Sequence, residues 1–196
     1  LENQKKLNKY ALKFKPQIII HLAAQAGVRY SLNVPRKYLS SNIIGTFNVI
    51  EIAHKIKVKH LLIASSSSVY KGKMHRDFTY IDDVTKSIEL LIKKIPSNNS
   101  KIKYKNDSIS KVAPFRIVNI GNQKKVFLKD FIKTIENNLN KKAVKNYMSM
   151  QKGDVKQTLS NTSLLQQLIR YKPMITYRTG IKKFINWYKN YYKTKS

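Results

Sequence analysis

The chain has 196 residues, 42% of them apolar, no cysteine, and a formal net charge of +29. That is enough apolar content for a buried core, and it excludes disulfides, a thiol nucleophile and any cysteine-ligated zinc. No apolar run approaches the ~20 residues of a membrane span, and Leu1 to Lys6 hold no apolar signal core, so a cytoplasmic protein without a membrane segment is expected.

In chain order, Gln17 to Leu22 is a short, β-branched apolar run that ends at Ala23-Ala24-Gln25-Ala26-Gly27, which reads as a buried parallel strand and a tight loop. Pro35 suits the first position of a helix, and Leu39, Ile43, Phe47 and Ile50 continue at helical spacing to about Lys55. Val58 to Ala64 reads as a second buried strand, closed by Ser65 to Ser68. Strand, helix and strand make a βαβ unit of a doubly wound sheet, whose functional loops lie at the strand ends.

Beyond Tyr70 the pattern changes. Asp82 and Asp83 are suited to cap a helix with an apolar face of Ile88, Leu91, Ile92 and Ile95. Pro96 to Lys111 reads as a surface loop, and Phe115 to Ile120 as a strand ending at Gly121-Asn122. Three further helices are marked by Leu128 to Leu139, by Leu164, Leu165 and Leu168, and by Ile181, Phe184, Ile185 and Tyr188. The expected fold is α/β, with a partial doubly wound parallel sheet over residues 1–70 and a small mixed α/β part over 71–196.

The positive charge comes mostly from lysine and is spread from end to end; arginine occurs only at positions 29, 36, 76, 116, 170 and 178. A face-clustered charge would indicate nucleic acid. This dispersal points instead to general surface charge, which still attracts anions such as a pyrophosphate. His54, His60 and His75 lack metal-ligand spacing, so no metal site is expected, and His21 at a strand end reads as a core histidine.

Four stretches carry a more specific signal: HLAAQAGVRYS (21–31), ASSSSVY (64–70), GKMHRDFTYIDD (72–83), and the pair VNIGN (118–122) and QKGDV (151–155). Together they resemble the extended short-chain dehydrogenase/reductases of the NAD-dependent epimerase/dehydratase type, and most closely the UDP-glucuronate 4-epimerases. QAGVRYS with MHRDFTYIDD favours the uronate epimerases over the sugar dehydratases, whose acidic pair after a threonine is absent. The resemblance implies a Rossmann-like NAD domain followed by a substrate-binding part. It implies hydride removal from and return to sugar C4 of UDP-glucuronate or UDP-galacturonate, for polysaccharide precursor synthesis.

It also implies residue roles. Ala23, Ala24, Asn42 and Ser65 fall on the cofactor side. The small alanines let a dinucleotide approach the backbone, while Asn42 holds a backbone kink or a water, or is simply a helix-surface residue. Ser66 aligns with the catalytic Ser/Thr that hydrogen-bonds the sugar 4-oxygen. Ser67 and Ser68 face the sugar. Arg29 pairs with the uronate carboxylate or is a surface arginine. Arg76 binds the substrate pyrophosphate, with Asp77 orienting its guanidinium. Asp83 reads as a helix cap and Asp154 as a turn residue.

Two family motifs are missing. No two of the six glycines stand close enough for a GxxGxxG phosphate loop, and Tyr70 runs directly into Lys71-Gly72 where a spacer and a YxxxK motif would follow. Only Tyr191 and Lys195 have that spacing, far from any motif, so Tyr70 is not the catalytic tyrosine and an internal stretch is absent at the Tyr70–Lys71 junction. The first βαβ unit is expected to lie before Leu1. The absent stretch also supplies half of the family's dimer interface, so the apolar stripe of the 35–55 helix is expected to be exposed and a homodimer interface incomplete. Impaired or absent turnover is the expectation. The alternatives are a non-catalytic UDP-sugar-binding remnant, a basic nucleic-acid binder, or activity with a complementing chain.

Overall fold

A computed structural model describes residues 1–65, 76–99, 102–146 and 159–193. The backbone separates into two compact units, one built on residues 1–65 and the other on the remaining described segments.

The first unit begins with a helix absent from the sequence expectation, α1 (Gln4–Phe14). Asn3 caps it by accepting from Lys6 N–H at 2.9 Å, and Lys15 ends it in the left-handed region before Pro16. Strand β1 (Ile18–His21) pairs in parallel with β2 (His60–Ile63), Ile18 opposite His60 and His21 opposite Ile63. The crossover between them holds α2 (Val28–Asn33), α3 (Pro35–Tyr38), a π-helical stretch over Leu39–Ile44, and α4 (Gly45–Lys55). The expected βαβ unit is thus present, with Pro35 opening α3, although α2 occupies part of the expected loop.

The strands are not buried as expected. Ile18, Ile20 and Ile63 stay substantially exposed, because the described sheet has only two strands, and parallel strands are buried only where neighbours and helices cover both faces. The crossover helix packs through Val49, Ile52 and Ala53. The stripe picked out by periodicity, Leu39, Ile43, Phe47 and Ile50, remains 45–62% exposed.

The second unit is built on α5 (Ile81–Ile92), α6 (Leu128–Leu139), α7 (Ser163–Ile169) and α8 (Tyr177–Tyr192). Its core is the face of α7, Leu164, Leu165, Leu168 and Ile169, against Leu90 and Leu91 of α5. Each fully buried aliphatic side chain of this kind contributes about 1.5–3 kcal/mol. Phe131 of α6 stacks on Phe78 with ring centres 4.1 Å apart. Two expectations fail here. Residues 115–120 form no strand; with no strand to pair with among the described residues, the run stays irregular and packs Val118 and Ile120 on the α7 core. Asp83 is also not a cap. Tyr80 takes the N-cap position, and Asp83 sits in the first turn, only 2% exposed, accepting from Tyr171 Oη (2.5 Å), Met174 N–H (3.1 Å) and Ile175 N–H (2.8 Å).

Candidate functional site

In the first unit the loop after β1 is held from three sides. The π-helical stretch carries Asn42, whose Oδ1 accepts from Gln25 N–H at 2.7 Å and whose Nδ2 donates to Gln25 O at 3.1 Å. The extra residue per turn of a π-helix rotates side chains out of α-helical register, and such turns recur at functional sites. The Tyr38 hydroxyl lies 2.8 Å from Ala26 O and 2.5 Å from Gly27 O, and Gly27 adopts φ +99°, a backbone angle that suits glycine. His21, buried at the strand end, shares a 2.9 Å hydrogen bond with Thr46 Oγ1, so it is the satisfied core histidine expected.

The result is a fixed loop on which Ala23 and Ala24 are exposed. Ala64 N–H still donates to His21 O at 2.9 Å, so Ser65 leaves β2 beside this loop, at the carboxyl ends of adjacent parallel strands. That is where open α/β sheets bind ligands. Ser66, Ser67 and Ser68 lie outside the described residues, as do Tyr70, His75 and Asp154. Arg29 is in the first turn of α2, with its side chain also outside the description.

Asn42 therefore acts as a clamp on backbone groups rather than as a surface residue. Asn42→Ala is expected to destabilise the first unit by about 1 kcal/mol, the usual net value of such hydrogen bonds. It should also speed hydrogen exchange at the Gln25 amide, read by NMR or mass spectrometry; unchanged exchange would show that the loop is held by other contacts.

In the second unit Arg76 exchanges two backbone hydrogen bonds with Val126 (3.3 and 3.1 Å), an antiparallel bridge that joins the RDF segment to the chain following IGN. Asp77 also makes contacts that its neighbours in sequence do not reveal. Its carboxylate accepts N–H groups of Asn122 (3.0 Å), Gln123 (3.0 Å), Lys124 (3.4 Å) and Ser160 (3.2 Å), and the Ser160 hydroxyl as well. It thus pins the turn after Gly121. Gly121 is enclosed by this clamp. Asn122 donates to Ile175 O (3.1 Å), and its Oδ1 is buried without a partner among the described residues. Buried polar atoms are rarely left so.

Tyr38 and Ser160 were missed by the sequence reading. Ser160 lies 83 residues from Asp77 in a segment without a motif, so no local signal marks it. Tyr38 lies 11 residues after Gly27, and only the φ demand of that glycine hints at a nearby partner. Among the described residues no group of three or more His, Cys, Asp or Glu could hold a metal ion, and no helix is long and apolar enough to cross a membrane.

Comparison with known proteins assigns this architecture. The family model described as "NAD dependent epimerase/dehydratase family" matches residues 1–73. Protein CapI of Staphylococcus aureus is 32% identical over 273 positions, covering 98% of this chain and 82% of the relative. The "Probable UDP-glucuronate 4-epimerase" of Rhizobium meliloti (strain 1021) is 30% identical over 274 positions, covering 98% and 80%. Both aligned stretches exceed the 196 residues here, so each relative carries, within the matched region, sequence that this chain does not have. In fold, the chain is similar to the UDP-glucose 4-epimerase of Thermotoga maritima solved with UDP-glucose, with a TM-score of 0.80 at 16% identity over 97% of this chain and 83% of that one. It is also similar to MoeE5 in complex with UDP-glucuronic acid and NAD, with a TM-score of 0.72 at 17% identity over 89% and 80%. The chain belongs to the NAD-dependent epimerase/dehydratase family.

Proposed function

We propose that this chain is a UDP-uronate-binding member of the family, of UDP-glucuronate 4-epimerase type, with turnover impaired or lost. The observation that carries the reading is the clamped loop: Ala23 and Ala24 open to solvent beside Ser65 at the strand ends, in a chain that is 30% identical to a probable UDP-glucuronate 4-epimerase.

This geometry fits the nicotinamide end of NAD, since small side chains on a rigid loop admit a flat ring close to backbone N–H groups. It does not supply the other end, because no GxxGxxG turn is available to cradle the pyrophosphate. When bound, NAD supplies the hydride acceptor and donor at sugar C4.

The residues of this chain do the rest. Residues 1–70 form the cofactor part, in which Asn42 holds the loop. Ser66 hydrogen-bonds the sugar 4-oxygen, while Ser67, Ser68 and Arg29 meet the uronate. Residues 71–196 form the substrate part, where Arg76, held in place by its bridge to Val126, neutralises the UDP pyrophosphate. In the sequence YxxxK spacing occurs only at Tyr191 and Lys195, far along the chain from the family motifs, and the lack of such a pair in motif context to take the 4-hydroxyl proton is the reason to expect binding without efficient turnover. The alignments, longer than the chain, support the same reading. We assign the protein to the cytoplasm, and its homodimer contact through the 35–55 helix is incomplete.

Calorimetric titration tests this. UDP-glucuronate is expected to bind at micromolar strength, and Arg76→Ala to weaken it about 10- to 100-fold, the value of one charged hydrogen-bonding group. NAD affinity should be unchanged by the same substitution. A folded protein that binds neither ligand would sink the proposal, while measurable epimerisation at a family-like rate would overturn the claim of impaired turnover.

A further inference from the structure

The last helix carries a feature that nucleotide-sugar binding does not use. Along α8, Phe184, Trp187, Tyr188, Tyr191 and Tyr192 recur at i, i+3, i+4, i+7 and i+8, which places them in one stripe. All five are 42–66% exposed. The helix is held in the unit by its other residues: Gly180, Ile181 and Ile185 are buried, and the Tyr80 ring sits so close to Gly180 that an added Cβ would lie 2.7 Å from it. The stripe is therefore available without unfolding anything.

We propose that this aromatic face seats the protein on an anionic membrane surface, with α8 lying in the plane of the lipid headgroups. Three observations support that occupant. The rings pack on one another along the helix, Trp187 on Tyr191 with centres 5.3 Å apart and Tyr188 on Tyr192 at 4.7 Å. They make a continuous ledge, apolar in the middle with hydroxyls and an indole N–H at its edge, the amphipathic chemistry that collects at membrane interfaces. The helix contains no acidic residue, and at 3.6 residues per turn Arg178, Lys182, Lys189 and Lys193 fall together on the side away from the centre of the stripe, in a chain of net charge +29. A basic amphipathic helix of low overall hydrophobicity, with aromatics on one face, lies on a bilayer and does not cross it.

Charge also argues against a second copy of the chain. Two copies that each carry a net charge of +29 repel one another.

Trp187 is the only tryptophan in the sequence, so the intact chain carries its own probe. The experiment adds vesicles of phosphatidylcholine with phosphatidylglycerol, or of phosphatidylcholine alone, and reads Trp187 emission and its quenching by brominated acyl chains. The expected result is a blue shift and quenching with the anionic vesicles, weakened by high salt. The pair Phe184→Ser and Tyr191→Ser, with circular dichroism unchanged, is expected to reduce partitioning about tenfold. Lys189→Glu with Lys193→Glu, which leaves the rings in place, should reduce it to a similar degree. Co-sedimentation with anionic vesicles while Trp187 is neither shifted nor quenched would mean that general positive charge holds the protein, and would overturn the proposal. So would an emission change produced by oligodeoxythymidylate or by self-association in place of vesicles.

Discussion

Asp83→Ala is expected to destabilise the second unit by about 3–5 kcal/mol, the cost of leaving several buried donors without a charged acceptor. Asp83 lies on the first turn of α5, yet its carboxylate gathers Tyr171 Oη, Met174 N–H and Ile175 N–H from the segment joining α7 to α8. It is a staple between elements about 90 residues apart in sequence, and alanine would remove both of its oxygens at once. For a chain of this size the loss corresponds to a fall of roughly 10 °C in the unfolding midpoint. Thermal or denaturant unfolding would measure it, and an unchanged midpoint would mean that the 171–175 segment is held by other contacts.

The same staple predicts a pH dependence. Its hydrogen bond to Asp83, with burial and the Asp83 charge adding to the effect, pushes the Tyr171 phenol up to about 12. A raised pKa means that the folded state keeps a proton the unfolded state gives up. The stabilisation is therefore complete below the ordinary tyrosine range near 10 and is lost as pH rises through about 12. Tyr171→Phe should remove that alkaline limb and lower stability at neutral pH by about 1–2 kcal/mol.

Gly121→Ala is expected to cost about 2–4 kcal/mol and to loosen the Arg76 segment. A Cβ at this position would overlap Ser160 Oγ and lie 2.6 Å from Ser160 Cβ and 2.8 Å from Asp77 Oδ2. None of these is the far end of a long flexible side chain, so the clamp itself must open. Opening it frees the turn whose N–H groups Asp77 holds, and the next pairing along the chain is the Arg76–Val126 bridge. Overpacking costs about 1–3 kcal/mol, and the lost hydrogen bonds add to it. If Arg76 anchors the UDP pyrophosphate, Gly121→Ala should weaken UDP-glucuronate binding as well as stability, whereas Asp83→Ala, measured well below its midpoint, should leave binding intact. Equal binding by the two variants would separate the clamp from the nucleotide site.

Much of the local structure was legible from residue order alone. The strands at Ile18–His21 and His60–Ile63, the helix opened by Pro35, and α6 to α8 all follow from apolar period and turn chemistry, which act over a few residues. HLAAQAGVRYS and MHRDFTYIDD carried the family for the same reason, since each is contiguous. The failures share a different cause. Asp83 was given a local role as helix cap, and the clamp made by Asp77 was not foreseen, because sequence shows only neighbours; their partners in the structure stand up to 92 and 83 residues away. Residues 115–120 have the composition of a strand, but a strand also needs a partner edge, which composition does not reveal.

The crossover helix makes the division plain. Periodicity showed that the chain from Pro35 to Lys55 is helical and amphipathic, because spacing along one helix is a property of sequence. It selected Leu39, Ile43, Phe47 and Ile50, whereas the helix packs through Val49, Ile52 and Ala53. Which of two apolar faces is buried depends on where the sheet lies. That placement arises from contacts between distant segments, and only the folded chain decides it.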